Sequence, residues 1–218
     1  MDIGYLARYL VWCVGQVITA PFKLPWRLTA RGFEHFPWRG PMILACNHQS
    51  YWDPPAAGAV SPRPLHFMAR RSLFKNPIFG ALITVMSAFP VERDKADPKA
   101  VRAALDILRK GRALLIFPEG TRSRNGQLGA AREGVGMLAL RSGAPVIPCY
   151  LQNTNRITPK GARFLHFPKI TVHIGAAVAL GDLAGGELGR EVYQQAADRI
   201  MAAIAKLRDE AVNASRKD

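Results

Sequence analysis

Short, unbroken apolar runs constrain this chain more than any other feature. Met42–Cys46, residues 113–117 and residues 145–150 each string together a few apolar side chains and then stop at polar or turn-forming residues. Such runs are too short for a helix and show no alternation of polar and apolar faces. They read as strands covered on both sides, as in a sheet held between layers of helices. Further strands are predicted over residues 28–34, 65–69 and 170–174, with a turn over residues 37–41.

The segments between them have helical spacing. Residues 98–109 place Val101, Leu105 and Leu108 on one face and stop at Gly111. Residues 135–141 form a second helix ended by Gly143, and Val192, Ala196, Ile200, Ile204 and Leu207 mark a final amphipathic one. Asp53-Pro54-Pro55 looks like a helix entry. Strands alternating with helices, without internal repeats, predict an α/β fold: one domain with a central mostly parallel or mixed sheet flanked by helices.

Two longer apolar stretches stand apart. Residues 3–22 are mostly apolar, interrupted by Arg8, Gln16 and Thr19, and Lys23, Pro25 and Arg27 follow. A spanning helix needs about 20 clean apolar residues, so the run suits a helix lying in one leaflet with its cations at headgroup level. Packing on its own domain and a true span are the competing readings. Residues 1–26 are therefore expected to be a membrane-associated helical segment and residues 27–218 the folded domain. The second stretch, residues 78–89, closes at Val91-Glu92-Arg93.

With 49% hydrophobic residues the chain is neither disordered nor polytopic, but 30 Lys and Arg against 16 Asp and Glu give a net charge of +14. That field favours nucleic acid, an anionic bilayer or acidic small molecules and carriers. The three cysteines, Cys13, Cys46 and Cys149, lack CxxC spacing, which points to a reducing compartment rather than a disulfide framework or zinc site. The five histidines are scattered without HExxH, so a metal site has little support.

Two motifs carry chemistry. Asn47-His48-Gln49-Ser50-Tyr51-Trp52-Asp53 follows a buried strand and supplies an imidazole with a carboxylate five residues on. A carboxylate on one ring nitrogen fixes the tautomer and leaves the other nitrogen free as a base. A hydrogen-bonded core histidine is the bland alternative, and a Cys46–His48 nucleophilic pair a third. Phe117-Pro118-Glu119-Gly120-Thr121-Arg122-Ser123 also follows a buried strand. Its glycine lets an anion approach the backbone, Thr121 offers a hydroxyl and Arg122 a forked donor, although Glu119 and Arg122 pairing with each other would explain the same residues. Arg93 is a further candidate phosphate ligand, and Arg70, Arg71, Lys75 and Arg124 add positive field.

Together and in this order, the motifs resemble the glycerolipid acyltransferase family, specifically its 1-acylglycerol-3-phosphate acyltransferases. The resemblance runs over residues 28–180. It includes Gly32-Phe33-Glu34-His35-Phe36-Pro37, the NHx4D block from Asn47 to Asp53, Ala69-Arg70-Arg71-Ser72-Leu73 with Pro77 and Gly80, Val91-Glu92-Arg93, the FPEGTRS block, and Ala144-Pro145-Val146-Ile147-Pro148. Pro90 stands where an aromatic residue is frequent, and Ser87 where glycine is common.

The resemblance implies direct acyl transfer from a thioester, on CoA or an acyl-carrier protein, to the free hydroxyl of 1-acylglycerol 3-phosphate, giving phosphatidic acid. It makes His48 the general base and Asp53 its orienter. Glu119, Gly120, Thr121 and Arg122 would hold the acceptor phosphate with Arg93 assisting. It implies no metal or other cofactor, a lysophospholipid substrate, an anionic membrane surface at the cytoplasmic face, and no nucleic acid. Glycerol 3-phosphate or a lyso-ornithine lipid as acceptor, or a non-catalytic basic membrane-binding protein, are the alternatives.

Overall fold

The computed structural model describes residues 23–92, 97–123, 125–159 and 161–216, with Leu10, Trp12 and Cys13. The expected membrane-associated segment over residues 1–26 lies mostly outside the described residues. No helix among the described residues is long and apolar enough to cross a membrane.

Among the described residues seven strands form one sheet: β1 (Thr29–Arg31), β2 (Met42–Cys46), β3 (Leu65–Arg70), β4 (Ala88–Val91), β5 (Ala113–Ile116), β6 (Val146–Gln152) and β7 (Thr171–Ile174), in the order β1-β7-β6-β2-β5-β3-β4. All neighbouring pairs are parallel except β6 with β7. The sheet is therefore mixed, with β2 to β6 running one way and β1 and β7 the other.

The predicted apolar runs occupy the middle. Every residue of β2 and β5 is buried. Ile43 and Ala45 of β2, with Leu114 and Ile116 of β5, face α3 (Pro98–Arg109), α4 (Glu133–Ser142) and α5 (Arg190–Ser215). Met42, Leu44 and Leu115 point the other way, towards α1 (Asp53–Val60), Phe36 and Leu65. This strict alternation makes three layers. On the first face α4 and α5 come so close that a Cβ on Gly136 would lie 1.9 Å from the Tyr193 carbonyl oxygen.

The apolar stretch over residues 78–89 does not form one element. It divides into α2 (Pro77–Val85), capped by the Asn76 side chain accepting the Phe79 N–H, and the edge strand β4. The break falls at Ser87, whose φ of 69° lies in the left-handed region that favours glycine. Pro90 sits on β4, where a missing N–H is tolerated because the strand has only one neighbour.

β7 buries an imidazole. His173 Nε2 donates to the Gln152 side-chain oxygen at 3.0 Å. Burial, assisted by the nearby Arg31 charge, lowers its pKa from 6.5 to about 4. Above pH 6.5 the imidazole is neutral in folded and unfolded chain alike, so it contributes no pH dependence. As pH falls from 6.5 to about 4, only the unfolded chain takes the proton and stability declines. Urea unfolding midpoints should fall between pH 7 and pH 4.5, and His173→Gln should flatten that part of the decline.

Candidate active site

The parallel register of the central strands brings the two motifs together. Met42 to Ala45 pair with Ala113 to Ile116, and the same offset carried past the strand ends sets His48 beside Glu119. The Glu119 Oε1 atom accepts the His48 N–H at 2.8 Å, and the His48 carbonyl accepts the Ser123 N–H at 2.8 Å. On the other side Asn47 extends the β2–β6 ladder with its side chain. Its Oδ1 accepts the Leu151 N–H at 2.7 Å and its Nδ2 donates to the Leu151 carbonyl at 3.3 Å. A side-chain amide thus replaces a peptide where the main chain turns away.

Asp53 organises the turn that follows. Its fully buried carboxylate accepts from His48 Nδ1 at 2.8 Å and from the Gln49 and Ser50 N–H groups at 2.7 Å, all on Oδ2. Thr154 Oγ1 donates to the other oxygen. Because the carboxylate only accepts, Nδ1 carries the proton and Nε2 presents its lone pair. The ring is stacked on Phe117 at 4.0 Å between centroids and 20° between planes, so its plane and its tautomer are both fixed. Among the described residues Nε2 has no hydrogen-bond partner.

His48 borders a groove of about 1260 Å³ that runs over the sheet between α3 and α4. Its lining combines apolar side chains, Met68, Val101, Leu105, Phe117, Val135 and Leu138 among them, with charged ones such as Arg102, Arg109 and Arg141. The volume exceeds the roughly 300–1,000 Å³ of usual small-molecule pockets.

The other predicted residues are placed unequally. Glu119 is buried and both of its oxygens are taken, the second by the Gly129 N–H at 3.1 Å. Gly120 lines the groove with φ of 71°. Thr121 and Arg122 are exposed. The Arg122 guanidinium lies 3.5 Å from the Tyr51 ring centroid, so a residue of each motif contacts the other rather than Arg122 pairing with Glu119. Arg93 and Arg124 lie outside the described residues. Cys46 is buried beside Cys149, its strand partner, and burial pushes the thiol well above its usual range. A Cys46–His48 nucleophilic pair therefore has no thiolate to offer.

Arg132 was not legible in the sequence. Its guanidinium occupies the space that a Cβ on Gly120 would need, with Nε 2.8 Å from that position, and it lines the same groove as His48. Only the pairing of an exposed arginine with a left-handed glycine in three dimensions reveals it.

An imidazole held by a buried carboxylate at the carboxyl edge of an α/β sheet, beside a groove with apolar and charged walls, is an arrangement that can take a proton from a hydroxyl brought to it. The chain belongs to the acyltransferase family, whose model matches residues 27–152. It is 31% identical over 178 residues to a 1-acyl-sn-glycerol-3-phosphate acyltransferase of Pseudomonas aeruginosa, covering 78% of this chain and 67% of the relative. The chloroplastic enzyme of that name, LPAT1, from Arabidopsis thaliana is 30% identical over 142 residues, covering 63% and 39%. The Streptococcus pneumoniae enzyme is 29% identical over 170 residues, covering 77% and 61%. This chain thus spans 39% to 61% of the length of those last two relatives. The fold is shared with the crystal structure of the 1-acyl-sn-glycerophosphate (LPA) acyltransferase PlsC from Thermotoga maritima. That match has a TM-score of 0.68 and 24% identity and covers 84% of this chain and 72% of the other.

Proposed function

We propose that this protein transfers a fatty acyl group from an acyl thioester to the free hydroxyl of 1-acylglycerol 3-phosphate, forming phosphatidic acid at a membrane. The observation that carries this reading is His48: Nδ1 held by Asp53, and Nε2 without a partner among the described residues, on a side chain that lines the groove.

In the reaction, Nε2 takes the proton of the acceptor hydroxyl as its oxygen attacks the thioester carbonyl carbon. The tetrahedral intermediate collapses, the carbon–sulfur bond breaks, and the leaving sulfur receives the proton from the imidazolium. Asp53 stabilises that transient cation. A thiolate leaves readily, so positioning and a base supply most of what is needed. The groove between α3 and α4 takes an acyl chain, while Glu119 holds the His48 loop in place through its two backbone contacts.

The acceptor phosphate meets the Gly120 turn, with Thr121, Arg122 and Arg93 as the donors expected from the sequence and Arg132 as a fourth. A hydrogen bond to a charged group contributes about 1.5–3 kcal/mol, so Arg132→Ala should raise the KM for lysophosphatidate about tenfold or more. It should leave the transfer rate at saturation nearly unchanged. The exposed apolar side of α2 and residues 1–26 hold the enzyme on the cytoplasmic face of the bilayer. The net charge suits either CoA or an acidic carrier protein as donor.

The test offers purified protein a long-chain acyl-CoA, or the same chain on acyl-carrier protein, with lysophosphatidate, glycerol 3-phosphate or lyso-ornithine lipid. Phosphatidate from lysophosphatidate is the expected product. Preference for either other acceptor would keep the chemistry and replace the substrate. No transfer to any acceptor with either donor would favour the non-catalytic membrane-binding reading.

A further inference from the structure

The connection from β6 to β7 carries an exposed apolar tip. Phe164 is 81% exposed, and Leu165 and Phe167 are exposed with it. Arg163 and Lys169, also exposed, flank the tip. Its base is fixed. Trp26 Nε1 donates to the His166 carbonyl at 2.9 Å, and the Trp26 ring packs against Trp52 and Phe167 at 5.6 and 5.4 Å. The Ile170 N–H donates to the Trp26 carbonyl at 2.9 Å. Such a base presents bulky apolar side chains to solvent on a held loop.

Topology places this loop on the catalytic edge. β6 runs parallel to β2, so the segment after Gln152 leaves from the same end of the sheet as His48. β3 also runs parallel to the central strands, so Arg71 and the start of α2 leave from that end too, on the far side of β5. α2 exposes Ile78 (83%), with Phe79, Leu82, Val85 and Met86. His48 and Glu119 thus lie between two exposed apolar elements.

Charge favours one partner. No Asp or Glu occurs between Asp53 and Glu92, or between Glu133 and Asp182, so both elements lie in stretches whose only charges are cationic. Large exposed apolar side chains ringed by cations match an anionic bilayer: headgroups take the Arg and Lys, and the acyl boundary takes the aromatics. Trp26, which packs against Phe167 of this loop, follows closely in sequence on the apolar run over residues 3–22.

We propose that residues 163–169 form a membrane-inserting prong which, opposite α2, seats the catalytic edge of the sheet on an anionic bilayer. This rests on the acyltransferase reading for its purpose, but it is tested separately. Phe164→Ser/Leu165→Ser removes the exposed tip and leaves the Trp26–Phe167 packing intact. Full-length protein is sedimented with vesicles of phosphatidylglycerol and phosphatidylcholine, and with phosphatidylcholine alone. Acyl transfer to lysophosphatidate is followed in the mixed vesicles and in detergent micelles.

The variant should partition onto mixed vesicles at least tenfold less and lose vesicle transfer in step, with micelle transfer within twofold of wild type. Arg163→Gln/Lys169→Gln should lose binding to the anionic vesicles only. Unchanged partition of Phe164→Ser/Leu165→Ser, with residues 1–22 alone holding the protein, would overturn the prong. So would loss of micelle transfer in that variant, or a change in its oligomeric state that shows a second copy covers the loop. A wild type inactive in micelles would remove the acyltransferase reading, and the sedimentation would still decide the prong.

Discussion

His48→Ala should lower acyl transfer about a thousandfold, within the roughly 10²–10⁴-fold range of general-base removal, while the fold is retained. The imidazole makes one side-chain hydrogen bond and stacks on Phe117, so its loss leaves the Asp53 carboxylate one donor short and gives up that stack. Three further donors still satisfy that carboxylate. Substrate binding should largely survive, because the phosphate and acyl-chain contacts of the proposed arrangement do not involve the ring. Thiol release at saturating substrates, read beside circular dichroism, checks both halves. Activity within tenfold of wild type would remove His48 as the base.

Asp53→Ala should be damaging in a different way, costing stability as well as rate. It strands the Gln49 and Ser50 N–H groups, the Thr154 hydroxyl and the imidazole around a fully buried cavity. Buried donors without acceptors cost about 1–3 kcal/mol each before relaxation, and loss of a buried charged partner about 3–5 kcal/mol in all. Asp53→Asn separates the two effects. Its amide oxygen can replace Oδ2 towards three donors, and its amide nitrogen can donate to Thr154, whose hydroxyl rotates to accept. Stability should largely return. A neutral amide does not stabilise an imidazolium, so transfer should remain on the order of a thousandfold down. Urea unfolding of both variants, set against their transfer rates, makes the comparison.

Much of this architecture is legible in the sequence. The β2 and β5 runs, the helix over residues 98–109 and the turn at residues 37–41 follow from apolar spacing and from glycine and proline positions. His48 with Asp53 was readable because five residues across a strand-to-helix turn allow a carboxylate to fold back. Residues 78–89 were not, since an all-apolar stretch has no polar face to reveal its period; Ser87, not a hydrophobic pattern, sets the break. Sheet order was likewise hidden. Only the register carried past β2 and β5 shows that Glu119 meets the His48 backbone. Arg132 escaped because its relation to Gly120 depends on the path of residues 121–131 and not on spacing.

The central claim is direct transfer by His48 to an acceptor hydroxyl, and its most direct test counts thiol against product. Wild-type protein is given a long-chain acyl-CoA with and without lysophosphatidate. Free thiol, phosphatidate and acyl group on the protein are quantified together. The expected result is equal amounts of thiol and phosphatidate, no thiol without acceptor, and no acylated protein. A burst of thiol without acceptor, with the acyl group retained on the chain, would contradict direct transfer and place a covalent nucleophile in the site.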